Sequence, residues 1–329
     1  MASIRINTTS DTDRRRGPTW LQGLATATVV SVFVLVIIGG VVRVTGSGLG
    51  CPDWPLCYGK VLPPLEYTAI IEYTHRFVAS VIVGPLILVT AGIALARYRS
   101  DRWVWVPAAI SVPLLIVQGL LGGVTVLTHL PGGIVALHLA TAEALLATCV
   151  FIMVASYRTP ILRHATQSSS DSYHRWAIVG ALSVYAVIVS GALVTAMGAT
   201  GACVTWPLCQ GQAFPMNHLT AVHMFHRYVV LVLGALLLYA AWRCWNGPTQ
   251  RGTTLRWLSI VTVATFVVQI VVGAATIWLD FQAHWRALHL TAATAVWTAA
   301  AGMAIVAYLD VRTTRGATGT PQRAVQDGQ

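Results

Sequence analysis

Residues 44–60 read VTGSGLGCPDWPLCYGK, and residues 196–212 read AMGATGACVTWPLCQGQ. The two stretches share a W-P-L-C core and set Cys51 and Cys57 against Cys203 and Cys209, 152 positions later. Outward from this pair the correspondence continues. EYTHRF at 72–77 answers HMFHRY at 223–228, VQGLLGG at 117–123 answers VQIVVGA at 268–274, and ALHLATA at 136–142 answers ALHLTAA at 287–293, each at an interval of 151. Four blocks in one order at a nearly constant interval mark a tandem duplication.

What lies between the blocks sets the duplicated unit. Of 329 residues, 56% are hydrophobic and 10% charged, where an ordinary soluble domain has roughly 25% charged. Apolar runs long enough to cross a bilayer, about 20 residues each, recur near 22–43, 68–96, 103–127, 133–156, 174–197, 219–243, 254–278 and 285–309. The fold class is therefore all-α polytopic membrane protein with eight transmembrane helices, four per copy. An even number of spans gives both copies the same orientation, so the expected architecture is two four-helix bundles related by a pseudo-twofold axis along the membrane normal. The corresponding domains are a disordered N-terminus at 1–18, a bundle at 19–160, a linker at 161–173, a second bundle at 174–312 and a disordered tail at 313–329.

A net charge of +10 in a soluble protein suggests nucleic acid, but its distribution here excludes that reading. Arginines gather at Arg14, Arg15 and Arg16, at Arg97, Arg99 and Arg102, and at Arg158, Arg163 and Arg175. They return at Arg243, Arg251 and Arg256 and at Arg312, Arg315 and Arg323. The alternate connections hold only Arg43 and Lys60, none, and Arg286. By the positive-inside rule both termini are cytoplasmic in a multi-pass protein of the cell membrane.

Ionisable groups inside spans are costly in hydrocarbon and point to function. The repeat aligns His75 with His226 and His138 with His289. Each falls about five to seven residues after its span enters from the outer side, roughly 7–11 Å deep at 1.5 Å per residue. Two imidazoles at one depth on two helices of a bundle meet the requirement for bis-histidine haem ligation. A zinc site asks for three or four ligands within one bundle, and each half repeats only two histidines. Arg76 and Arg227 follow a histidine in each copy and suit haem propionates, snorkelling to lipid headgroups being the alternative. Gly119, Gly122, Gly123 and Gly273 fit the approach of a flat ligand or plain helix packing.

The copies diverge at Glu72, one turn before His75, whose counterpart is His223. A carboxylate beside one presumed haem and none beside the other suggests a working site in the N-terminal half and a permanent cofactor site in the C-terminal half. Pairing of Glu72 with a nearby arginine is the structural alternative. Glu143, five residues past His138, points away from that face and reads as structural or proton-related. The C-x5-C pairs Cys51/Cys57 and Cys203/Cys209 lie in external loops where disulfides form, as structural clips or redox-active pairs. They are not C-x-x-C-H haem attachment sites. Cys149 and Cys244 stand outside the repeat and read as inert.

EYTHR, HMFHR, the two LHL segments, the paired external cysteines and the four-plus-four duplication together resemble the haem A synthase family, bacterial and mitochondrial, over about residues 20 to 310. The resemblance implies an oxidoreductase of cytochrome oxidase assembly that converts haem O to haem A by two successive hydroxylations of one ring methyl. Carried over by position, His75 and His138 face the iron of substrate haem O, and Glu72 is the acidic residue of the chemistry. His226 and His289 are axial ligands of a haem b, and Cys51/Cys57 match the external pair that some members carry. Candidate partners are haem O synthase (the protohaem farnesyltransferase), an electron acceptor, lipid and a further copy of the chain. A dihaem b-type electron-transfer protein linked to quinol, and a transporter with parallel repeats, are the alternatives that the histidines and buried polar groups also allow.

Overall fold

The computed structural model describes residues 20–157, 172–215, 217–247 and 252–318. Eight helices run in order: α1 (Trp20–Val44), α2 (Tyr67–Arg97), α3 (Arg102–Leu127), α4 (Gly132–Ser156), α5 (Tyr173–Ala196), α6 (His218–Trp245), α7 (Gly252–Trp278) and α8 (Ala283–Thr318). Each contains a window long and apolar enough to cross a membrane, so this is a multi-pass membrane protein. Helix ends fall within two residues of the boundaries read from hydropathy, except that α8 continues to Thr318 instead of ending near 309. Of the segments expected to be polar ends or linker, 1–18, 161–171 and 319–329 lie outside the described residues.

Local chemistry accounts for the starts and the one irregularity. Asp101 caps α3 by accepting the Trp103 N–H at 3.1 Å, and Asn217 caps α6 by accepting the Leu219 N–H at 2.9 Å; each satisfies a backbone donor that a helix start leaves open. Within α2, Val78–Val83 forms a π-helical turn, with the Gly84 N–H reaching back five residues to Ala79 O. Pro85 has no N–H to give the carbonyl four residues earlier, and its ring crowds that carbonyl, so the ladder widens there. The matching stretch of α6 carries Ala235 and Leu236 in place of Gly84 and Pro85 and remains α-helical.

Helix contacts close two rings: α1 with α2, α2 with α3, α3 with α4 and α4 with α1, then the same sequence for α5 to α8. The rings join through α1 with α8, α4 with α5, and α4 with α8. The buried apolar core, including Leu21, Ile87, Leu146, Tyr173, Leu237 and Met303, occupies the half of the helices nearer the described chain ends. Leu120, Leu231 and Val271 are exposed on the outside, as lipid-facing positions are.

The loops repeat in conformation as well as in sequence. Left-handed backbone occurs in matched pairs at Gly46 and Gly198, Tyr58 and Gln210, Gly59 and Gly211, His129 and Asp280, and Leu130 and Phe281. Cys57 bridges Lys60 as Cys209 bridges Gln212. The C-x5-C pairs form disulfides, Cys51–Cys57 and Cys203–Cys209, with Cα atoms 4.7 and 4.9 Å apart. Cys51 and Cys57 are sealed with Ala69 of α2, which docks the first loop on that helix. Cys149 and Cys244 are free and buried.

Candidate active site of paired membrane histidines

Each of the four repeated histidines is seated against a glycine of the preceding helix. A Cβ added at Gly39 of α1 would stand 3.1 Å from Cε1 of His75, and one at Gly122 of α3 would stand 3.3 Å from Cε1 of His138. In the second ring a Cβ at Gly191 of α5 would meet His226 at 3.1 Å, and one at Gly273 of α7 would meet His289 at 2.9 Å. Only a residue without a side chain lets the ring edge approach that closely, so the glycines fix where each imidazole lies. Gly123 makes room for the Trp54 ring, which an added Cβ would meet at 2.9 Å, and Gly119 faces open space. Gly122, Gly123 and Gly273 thus receive side-chain rings of this chain, where the sequence suggests a flat ligand or plain helix packing.

His75 and His138 lie within electrostatic range of each other across the first ring, and His226 and His289 across the second. The Gln118 side-chain nitrogen faces Nε2 of His138 at 3.3 Å, and that of Gln269 faces Nε2 of His289 at 3.4 Å. Gln118 and Gln269 sit in the repeated VQ blocks, yet the sequence reading took only the glycines from those blocks. Their recurrence at the same interval was the available signal, as it was for Gly39 and Gly191.

Around Glu72 the first ring is tightly connected. Glu72 is buried; its Oε1 pairs with Arg76 at 2.5 Å and its Oε2 accepts the Cys51 N–H at 2.8 Å. Arg76 sends its other bonds to loop carbonyls, Nη1 to Asp53 and Leu56, both at 2.7 Å, and Nη2 to Cys51 at 2.9 Å. Both terminal nitrogens of Arg76 therefore bind the disulfide loop and Glu72, where the sequence suggested a propionate or lipid partner. Arg227 differs. Its Nη1 donates to Thr205 O and Pro207 O at 2.8 Å, while Nε and Nη2 are buried without a partner. His223, standing where the first ring has Glu72, donates from Nδ1 to Ala199 O at 3.1 Å.

One further bond distinguishes the rings. Ser190 Oγ donates to Val187 O at 2.7 Å and lies 2.7 Å from Nδ1 of His226. Nδ1 of His75, His138 and His289 is buried with no partner.

The donor set suits an iron that arrives in a macrocycle. Among the described residues no three His, Cys, Asp or Glu side chains converge as a bare metal ion requires. An iron already held by four pyrrole nitrogens needs only two more ligands, which is what each ring offers. The buried, half-unpartnered Arg227 fork is a donor for a planar carboxylate.

Comparison with known proteins places the chain in a family. The COX15-CtaA model, described as cytochrome oxidase assembly protein, matches residues 22–70 and 65–301. A heme A synthase of Alkalihalophilus pseudofirmus is 32% identical over 256 residues, covering 76% of this chain and 85% of the relative. One of Shouchella clausii is 33% identical over 263 residues, 78% of this chain and 84% of the relative. One of Halalkalibacterium halodurans is 32% identical over 262 residues, 78% and 87% respectively. With its histidine pairs built as described and the family match running through nearly all eight helices, the chain belongs to the COX15-CtaA family of cytochrome oxidase assembly proteins.

Proposed function

We propose that this protein is a haem A synthase, an oxidoreductase that takes haem O as substrate and oxidises one ring methyl to a formyl group. The observation that carries the reading is the duplicated histidine pair, each imidazole seated on a glycine of the preceding helix. The two rings, α1 to α4 and α5 to α8, are two bundles related by a pseudo-twofold axis along the membrane normal. The exchange of contacts supports this: α1 with α8 and α4 with α5 swap when the copies are swapped. Both termini lie on the cytoplasmic side, as the arginine distribution indicates.

In the first bundle His75 and His138 hold the substrate iron. Oxidation at the methyl takes one water and releases four protons and four electrons overall, through the alcohol and the hydrated aldehyde, and an electron acceptor outside the chain must remove those electrons. If both imidazoles held that iron, it would offer no open position to oxygen, and water would be the source of the oxygen atom. Glu72 lies on the His75 face of α2, one turn away, with Arg76 and the Cys51 N–H fixing its orientation. Each carboxylate oxygen keeps a second lone pair, so Glu72 receives a proton from the attacking water or steadies positive charge at the methyl carbon. The Arg76 bonds to Cys51, Asp53 and Leu56 hold the disulfide loop over this end of the ring and limit access of bulk water.

In the second bundle His226 and His289 would hold a haem b, and Arg227, with Nε and Nη2 buried without a partner, would meet a propionate. Such a haem, when bound, supplies a one-electron acceptor and donor. His223 in place of Glu72 leaves that bundle without a carboxylate for methyl chemistry.

Mass spectrometry of haems from cells with and without the protein tests the reading. Haem A is expected only where the protein is present. Haem O persisting unchanged, with only b-type haem on the purified protein, overturns the synthase in favour of an electron carrier.

A further inference from the structure

Gly39 and Gly191 occupy matched positions behind His75 and His226, so the residues just before them can be compared directly. These are Ile38 and Ser190. Ser190 Oγ gives its proton to Val187 O at 2.7 Å and therefore presents a lone pair to Nδ1 of His226, also at 2.7 Å. The Nδ1 then carries the ring proton, and Nε2 keeps the lone pair that binds iron. Ile38 has no polar atom to offer, and Nδ1 of His75 is buried without a partner. A second difference lies on the helices that carry the histidines. Past His75 the helix widens into the π turn Val78–Val83, whereas α6 is regular past His226.

We propose that Ser190 is a positioning residue that locks His226 as a permanent haem ligand, and that Ile38 in the matched position leaves His75 a ligand that lets go. The proposal rests on the assignment of a resident haem to the second bundle and of the substrate to the first. A substrate iron must be captured, and the product iron released, on every turnover; a resident haem must stay. A ligating histidine whose other N–H is held keeps its tautomer and ring orientation and is the stronger base, and loss of such a bond typically weakens metal binding 10- to 100-fold. Three of the four imidazoles lack that bond at Nδ1, His289 of the same bundle among them, so the second bundle holds its haem through one locked ligand, His226, and the first bundle has none.

The test uses the full-length, haem-loaded protein in detergent, with variants Ser190→Ala, Ser190→Thr, Ile38→Ser and His226→Ala. Two quantities are read for each: the rate at which each haem type, separated by mass, passes to an excess of apomyoglobin, and the midpoint potential of the bound haem b. Ser190→Ala is expected to speed loss of haem b about 10- to 100-fold and to raise its potential, because a less basic imidazole favours the ferric state less. Ser190→Thr restores both, which a purely steric role would not predict. Ile38→Ser slows release of haem O and haem A and leaves haem b untouched. If His226→Ala abolishes haem b but Ser190→Ala changes neither its loss rate nor its potential, the lock is refuted while the site assignment stands. If His226→Ala keeps haem b, the assignment fails and the lock with it.

Discussion

Thr294 donates a 2.7 Å hydrogen bond to Oε1 of Glu143 across 151 residues, the interval at which the histidine blocks recur. Each residue is the other's counterpart in the duplication, five positions past His138 and His289. Counterparts touch only where the axis relating two copies passes between them, as in the self-complementary contact of a twofold dimer. The Trp297 indole adds a bond to Glu143 O at 2.8 Å, and the carboxyl is wholly buried. This contact supports the pseudo-twofold relation proposed for the bundles and gives Glu143 a structural place at the junction.

Removing one side of that contact should cost more than removing both. Thr294→Val leaves Oε1 of Glu143 without its donor beside an Oε2 that already has none, an expected loss of about 1–3 kcal/mol. Glu143→Leu combined with Thr294→Val should recover part of it, because no buried acceptor is then left unsatisfied. Thermal unfolding in detergent of the singles and the double measures the coupling; strictly additive losses would show that the two residues do not act as a pair.

For Glu72, the charge and the shape can be separated. Glu72→Gln keeps an oxygen for the Cys51 N–H but removes the negative charge opposite Arg76. Haem content should stay near wild type while haem O or the half-oxidised alcohol accumulates and haem A formation falls at least about 100-fold. Extraction and mass analysis of the haems decides it, and a normal haem A yield would remove Glu72 from the mechanism.

The two arginines should fail differently. Arg227→Gln takes away the buried Nε and Nη2 without other partners, so haem b occupancy should drop several-fold in the pyridine haemochrome assay. Arg76→Gln releases Glu72 and three loop carbonyls instead. It should lower turnover and expose the Cys51–Cys57 loop to protease while haem b remains. Equal haem loss in both variants would contradict this division.

Acid should loosen the first disulfide loop and spare the second. The Asp53 carboxylate accepts the Gly59 and Tyr58 N–H groups, both at 2.7 Å. The Gly59 bond above all holds its pKa below the usual 3.8. A depressed carboxylate stabilises the folded loop above its unfolded pKa, and that contribution is lost as pH falls through the lower folded value. In the second loop the same position is Thr205, whose hydroxyl accepts the Gln210 N–H at 2.7 Å and does not titrate in this range. Hydrogen exchange should therefore rise at Tyr58 and Gly59 below pH 3.8 and remain flat at Gln210, and Asp53→Asn should abolish the difference.

The eight spans, the interval of the duplication and the candidacy of His75, His138, His226 and His289 are all legible in the chain alone. Hydrocarbon leaves no choice there: a spanning segment must be a continuous apolar helix with its backbone bonds closed internally, so hydropathy marks every span, and a repeat carries its ligands to equal depth. The partners of those ligands were not legible. Gly39, Gly191, Ser190, Gln118 and Gln269 meet their histidines from neighbouring helices, and which of them do so depends on how each helix is rotated about its own axis. Leucine, valine and alanine surround these helices on nearly every side, so no polar stripe records that rotation. Packing of one helix on the next fixes it, and with it the engagement of Arg76 by Glu72 and the disulfide loop, and the meeting of Glu143 with Thr294 between the halves.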